Sequence, residues 1–279
     1  MADLIGGIGT SHVPAIGAAI DHGKTGEPYW KPLFDGVEPA RAWIAEHKPD
    51  VCIVVYNDHA SQFDLSLIPT FALGMGTTFD IHDEGYGPRP VPQVQGDPDF
   101  AWHLAESLIL DEFDMTLVTD MTVDHGLTVP LSLAYGQPDV WPCKVIPLCV
   151  NVIQYPPPTG NRCFQLGRAL RRAIDSYDKD IKVAIFGTGG MSHQLQGERA
   201  GLTNREYDLK WLDQFVSDPA TLLNIGHTEY LRETGSEGIE LVMWLIMRGA
   251  MNERVRELHR FHHIPVSNTA YGLLVLEND

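Results

Sequence analysis

Twelve histidines are spread over the 279 residues of the chain. Four of them stand in short loops of small residues: Gly9-Thr10-Ser11-His12-Val13-Pro14, Asn57-Asp58-His59-Ala60, Asp124-His125-Gly126 and Gly189-Gly190-Met191-Ser192-His193. A neutral imidazole offers one nitrogen to a metal or a proton and keeps the other for a hydrogen bond, and it titrates near neutrality. The neighbouring glycines and prolines permit tight turns with close backbone approach. One loop histidine by itself reads as a solvated or hydrogen-bonded side chain. Four that each follow an apolar run call for a common explanation, because a sheet would carry them to one rim.

A carboxylate joins them. Residues Ile239 to Met247 read Ile-Glu-Leu-Val-Met-Trp-Leu-Ile-Met, apolar all round except for Glu240. A helix of that pattern is buried on nearly every face, and an ionised carboxylate inside needs a cation or a metal. A salt bridge to Arg248, or a first-turn role on backbone amides, is the structural alternative. Glu237, after Ser236, is better placed for capping, so metal ligation is the preferred reading of Glu240. Two neutral histidines and one carboxylate with open positions suit Fe(II) that activates oxygen. Zinc on the same donors keeps one water to attack a carbonyl, and is the chemical competitor. No H-E-x-x-H helix is present.

The elements that must position these groups follow from periodicity. Apolar runs of strand length alternate with stretches of helical period, which predicts an α/β fold: a single domain with a largely parallel central sheet flanked by helices. Strands are expected at Leu4–Ile8, Val51–Tyr56, Met115–Thr119, Lys144–Val150, Ile181–Gly187, His262–Val266 and Tyr271–Leu276. Helices are expected at Glu38–His47, Asp97–Leu110, Phe164–Tyr177, Asn204–Val216 and Ser236–Met247. Ligands of an open α/β sheet bind beyond the carboxyl ends of its strands, and the four histidine loops follow four different strand candidates, so the active site is expected there. Loops rich in Pro and Gly fill Asp21–Gly36, Gly74–Gly96 and Gln154–Asn161, and loops of that length read as binding loops or lids. Within them, Ile81–Pro92 reads as a lid or a subunit contact. No internal repeat or linker divides the chain.

Composition narrows the partners. The net charge is −17, from 20 Lys+Arg against 37 Asp+Glu, a poor match for nucleic acid or an anionic membrane surface. No apolar stretch approaches the ~20 residues of a membrane span. The start, Met1-Ala2-Asp3-Leu4-Ile5, lacks the basic region and apolar core of a secretory signal. Cys52, Cys143, Cys149 and Cys163 form no C-x-x-C pair and read as reduced, partly buried thiols of a cytoplasmic protein. His22, His47, His82, His103 and His259 read as surface or structural groups and His227 as a loop residue. Of His262 and His263, one is expected to pack and the other to face the site.

Taken together, Thr10-Ser11-His12-Val13-Pro14, Tyr56-Asn57-Asp58-His59, Gly189-Gly190-Met191-Ser192-His193, Gly235-Ser236-Glu237-Gly238-Ile239-Glu240 and Val266-Ser267-Asn268-Thr269 resemble the class III extradiol ring-cleavage dioxygenases. The likeness covers essentially the whole chain and rests on dispersed motifs in the right order. It implies His12, His59 and Glu240 as ligands of Fe(II), His193 as the acid–base histidine, and His125 as a second polar group beside the substrate. It implies that Ser267 and Asn268 hold a ring carboxylate, and that the substrate is a catechol such as protocatechuate, opened outside its diol with O2. Gallate-cleaving relatives carry a C-terminal extension for which this chain, stopping at Asp279 after its last strand, is expected to leave no room. The resemblance then implies a separate small helical α subunit in an α2β2 assembly. A zinc hydrolase and a non-catalytic binding relative are the competing classes. The second predicts loss of the ligand residues, all of which are present.

Overall fold

The computed structural model describes all residues from Met1 to Asp279. In chain order the elements are β1 (Asp3–Thr10), α1 (Pro14–Asp21), α2 (Lys31–His47), β2 (Val51–Tyr56), β3 (Phe71–Gly74), β4 (Thr78–Ile81), β5 (Val94–Gln95), α3 (Pro98–Leu110), β6 (Thr116–Val118), β7 (Thr122–Val123), α4 (His125–Tyr135), β8 (Lys144–Val150), α5 (Gly160–Asp175), β9 (Lys182–Thr188), α6 (Arg205–Ser217), α7 (His227–Thr234), α8 (Leu241–Ala250), β10 (Val255–Val266) and β11 (Thr269–Asn278). The main sheet has eight strands in the order β10-β11-β1-β9-β2-β8-β3-β6. Its centre, β1-β9-β2-β8, is parallel. β11 adds antiparallel to β1, β10 to β11, and β3 to β8.

Every residue of β2 is buried, which explains why it reads as an unbroken apolar run: a central parallel strand is covered on both faces. Val51, Ile53 and Val55 pack under α3, α5 and α8, while Cys52, Val54 and Tyr56 pack under α1, α2 and α4. Each fully buried aliphatic side chain contributes about 1.5–3 kcal/mol, so the two cores clamp the sheet from both sides. All four cysteines are free and buried. No helix is long and apolar enough to cross a membrane.

α8 is buried at every one of its residues, and it packs directly against the sheet. Gly9 makes room for it: a Cβ there would sit 2.4 Å from the Trp244 ring. Trp244 in turn donates its indole N–H to the Gly189 carbonyl at 3.1 Å, tying the helix to the turn after β9. The start of α8, with Glu240, is thereby fixed against the ends of β1 and β9.

Several expectations are revised. Glu240 sits in a 3-10 turn, Gly238–Glu240, that leads into α8 rather than within one helix from Ser236. The sequence pattern does not predict α1 or α4, and His125 opens α4 instead of following a strand of the main sheet. The Gly74–Gly96 stretch carries β4 and β5, which with β7 form a small second sheet. α2 begins at Lys31, shortening the expected Asp21–Gly36 loop.

Candidate metal centre and its comparisons

Three adjacent central strands deliver three of the four histidines. His12 follows β1, His59 follows β2, and His193 follows β9, while His125 enters from the first turn of α4. Glu240 stands among them. Its carboxylate lies 3.5 Å from His12 Nε2, 3.9 Å from His59 Nε2 and 3.8 Å from His193 Nε2. The His12, His59 and His125 rings also cluster, with ligand nitrogens within 4.8 Å of one another. All of these groups line one cavity of about 400 Å³.

The second nitrogen of each ring is spoken for. His12 Nδ1 lies 2.9 Å from Thr188 Oγ1, and that hydroxyl reaches the Gly126 carbonyl at 3.5 Å. The chain of donors places the imidazole proton on Nδ1, so His12 Nε2 carries a lone pair. That atom is buried and has no hydrogen-bond partner. His59 donates both its backbone N–H and its ring Nδ1–H to Asp124 Oδ2, at 2.7 and 3.0 Å. A carboxylate behind a ring is what orients a ligating histidine. His193 donates Nδ1–H to the Met191 carbonyl at 2.8 Å, leaving Nε2 as an acceptor toward the cavity. His125 passes Nδ1–H to Glu84 Oε1, and Glu84 Oε2 accepts its backbone N–H at 3.1 Å.

Glu240 is 5% exposed, and no Lys or Arg reaches its carboxylate; the groups that face it are the imidazoles of His12, His59 and His193. Arg248, the alternative expected from sequence, spends its guanidinium on the carbonyls of Phe215, Asn252 and Glu253. One oxygen of Glu240 accepts the Gly190 N–H at 2.5 Å. Gly189, at φ +134°, makes the turn that presents this N–H, and a Cβ on it would meet Glu240 itself. Burial works against the Glu240 charge, yet the facing imidazoles of His12, His193 and His59 hold the carboxyl far below its usual range. Burial likewise opposes charge on His59, but the carboxylates of Asp124 and Glu240 outweigh it and push the imidazole up to about 9. Burial lowers His12, in keeping with a neutral donor.

The fit to a metal follows from these facts. Donors about 2.1 Å from one ion are about 3 to 3.5 Å apart, close to the Glu240 separations. An orphaned, buried lone pair on His12, a carboxylate-backed His59 and a buried Glu240 with no Lys or Arg beside it converge. Their hardness and mixed N/O character suit a divalent first-row ion.

Ser267 lines the same cavity, on the turn between β10 and β11 at φ +55°. Asn268 beside it is exposed and does not line the cavity, so the expected pairing with Ser267 is not seen. Glu237 caps nothing. It accepts the Leu195 N–H at 3.1 Å and the Ser236 hydroxyl at 2.6 Å, on the cavity wall. Neither His262 nor His263 faces the site: the first bonds buried Asp208 at 3.1 Å and the second stacks on Phe261. Asp124, Glu84, Thr188 and Gly190 are supporting residues that the sequence did not mark for these roles.

A family model described as the catalytic LigB subunit of aromatic ring-opening dioxygenase matches residues 6–272. The chain belongs to this family. Among curated members, a gallate dioxygenase of Pseudomonas putida is 45% identical over 196 residues, covering 70% of this chain and 57% of that protein. A 2,3-dihydroxyphenylpropionate/2,3-dihydroxicinnamic acid 1,2-dioxygenase of Pseudomonas putida is 33% identical over 186 residues, covering 66% and 55%. The chain thus spans a little over half the length of these relatives. The crystal structure of an uncharacterized protein from Escherichia coli K12 superposes over 99% of this chain and 100% of its own, with a TM-score of 0.55 and 15% identity. That likeness shows the shared fold.

Proposed function

We propose that this LigB-family chain is the catalytic part of an Fe(II)-dependent extradiol dioxygenase. Its substrate in this reading is a catechol carboxylate, protocatechuate first, opened with O2 at the 4,5 bond to 4-carboxy-2-hydroxymuconate semialdehyde. His12, His59 and Glu240 hold the metal. The observation that carries the reading is the meeting of the unpartnered His12 Nε2 with a buried Glu240 that no Lys or Arg neutralises, on the wall of the cavity. When bound, Fe(II) supplies open positions for a chelating diol and for dioxygen, and a path for electrons between them.

The remaining chemistry belongs to side chains. His193, with Nδ1–H committed to Met191, has Nε2 free to take a catechol proton and return it as the ring opens. His125 presents its own Nε2 from the facing side, with its ring 3.9 Å from that of His59. Val152, Ile153 and Ile239 offer apolar surface to the aromatic ring. No Lys or Arg lines the cavity, so a carboxylate substituent meets the hydroxyls of Ser267 and Thr269 and the first turn of α1. Oriented dipoles of that kind hold an anion without a formal positive charge.

A small helical α subunit in an α2β2 assembly is part of this reading. Ile153 and Leu195, 46% and 51% exposed at the cavity wall, support a covering partner. So is a cytoplasmic location, which suits four free cysteines.

Zinc remains the competing metal, favoured by the three-imidazole group of His12, His59 and His125, a donor set that catalytic zinc also uses. One assay separates the two. Anaerobic loading with Fe(II), then O2 and protocatechuate, is expected to give stoichiometric oxygen uptake and a yellow semialdehyde. Absence of uptake with any catechol in the presence of the partner overturns the proposal. Ester or amide hydrolysis by zinc-loaded protein without oxygen establishes the rival.

A further inference from the structure

Two histidines at this site are gripped in the same way. Asp124 takes the backbone N–H and the ring Nδ1–H of His59, and Glu84 takes the backbone N–H and the ring Nδ1–H of His125. Asp124 is the N-cap of α4 and fully buried, so its position is set by the helix it starts. Glu84 comes from elsewhere, the Ile81–Pro92 segment. That segment is pinned at its far end, where the Arg89 guanidinium meets both oxygens of Asp21 at 2.9 and 2.8 Å and the Thr128 hydroxyl at 3.2 Å. At its near end the His82 N–H bonds the Val123 carbonyl at 2.9 Å. Asp83 closes the turn between by accepting the N–H groups of Gly85 and Gly87 at 2.9 and 2.8 Å. A free lid has none of these ties; the segment is a fixed bracket.

We propose that Glu84 is a positioning residue for the reaction: it holds His125 as the Nδ1–H tautomer, with Nε2 as the one nitrogen available to substrate. The importance of His125 in turnover rests on the ring-cleavage reading above, whereas the placement of its proton rests on the hydrogen bonds alone. A carboxylate has only acceptors, so the ring must donate to it, and the acceptor nitrogen is then the one in the cavity. Without Glu84 the imidazole is free to exchange tautomers and to rotate about its side-chain torsions. The substrate would then meet a donor, an acceptor or neither.

The test begins on the metal-free chain, with histidine nitrogens labelled. A slowly exchanging, downfield Nδ1–H proton is expected for His125, assigned by its disappearance in His125→Asn. It should vanish in Glu84→Ala and persist in Glu84→Gln, whose amide oxygen still accepts. It should also persist in Arg89→Ala, which loosens the bracket without touching the ring. In Fe(II)-loaded protein with protocatechuate and O2, Glu84→Ala is expected to lose about tenfold or more in kcat at similar KM, with Glu84→Gln recovering part of the loss. Persistence of the His125 proton in Glu84→Ala overturns the proposal. So does an equal loss of kcat in Arg89→Ala, because anchoring of the segment would then be the whole effect. If the wild-type chain with its partner takes up no oxygen with any catechol, the ring-cleavage reading falls and the proton signal alone decides the role of Glu84.

Discussion

Asp124 Oδ2 accepts two hydrogen bonds from one residue, the backbone N–H and the ring Nδ1–H of His59, while Oδ1 caps α4 through the Gly126 N–H at 2.9 Å. One carboxylate therefore fixes a helix start and the ring of a proposed ligand together. Asp124→Asn keeps a good N-cap residue but removes the anionic partner of the imidazole. The expected outcome is a folded protein whose metal affinity is about 10- to 100-fold weaker, read from competition with a chelator beside a thermal melt.

Glu240→Gln should abolish metal binding at concentrations that saturate the wild type, since an amide oxygen is a poor ligand for a hard dication. Metal analysis after desalting measures it. A variant that retains full metal and activity would remove Glu240 from the ligand set.

His193→Phe separates ligand from base. With His193 Nε2 3.8 Å from Glu240 and its Nδ1 on Met191, the variant should keep its metal and lose about 10²- to 10⁴-fold in kcat. Loss of metal instead would show that His193 ligates.

The metal-free protein should lose stability as the solution is made alkaline. The His59 imidazole is raised from 6.5 to about 9 by Asp124 and Glu240, so the folded state binds its proton more tightly than the unfolded one. The resulting stabilisation is complete below pH 6.5 and disappears as pH rises through 9, with an upper bound of about 3 kcal/mol. Urea midpoints of the metal-free chain at pH 6 and pH 9.5 check the sign. Metal loading should flatten this dependence, because the ion takes the place of the proton.

Gly190→Ala probes the turn that serves both Glu240 and His193. An added Cβ would lie 2.5 Å from His193 Cε1 and 2.9 Å from Thr269 Cγ2, so the ring must move. Turnover is expected to fall further than metal content, with a stability cost of about 1–3 kcal/mol. Parallel assays of kcat and bound metal test that split.

The parts of the site legible in the sequence are those marked by contrast. His12, His59 and His193 interrupt small-residue loops at the ends of buried strands, and Glu240 is the one charge in an apolar run. The supporting acids carry no such mark: Asp124 and Glu84 act on rings across sequence separations of 65 and 41, and nothing local distinguishes them from solvated carboxylates. α4 was hidden by its composition, with Gly126, Thr128, Val129 and Pro130 inside the helix, all residues that disfavour it in isolation. Tertiary burial of nearly the whole element overrides that preference. The first half of β10 carries little strand signal, because Val255-Arg256-Glu257-Leu258-His259 has no regular apolar alternation on this edge strand.

The proposed donors His12, His59 and Glu240 follow the first strand, follow the second strand and precede the last helix. An ion shared by them would act as a cross-link between the two ends of the polypeptide, closing loops that the denatured chain must otherwise leave open. Each hundredfold excess of metal over its dissociation constant would then add about 2.7 kcal/mol to the whole domain rather than to one corner of it. Such a molecule melts as a unit when loaded, and a cell short of the ion would lose the protein as well as the activity.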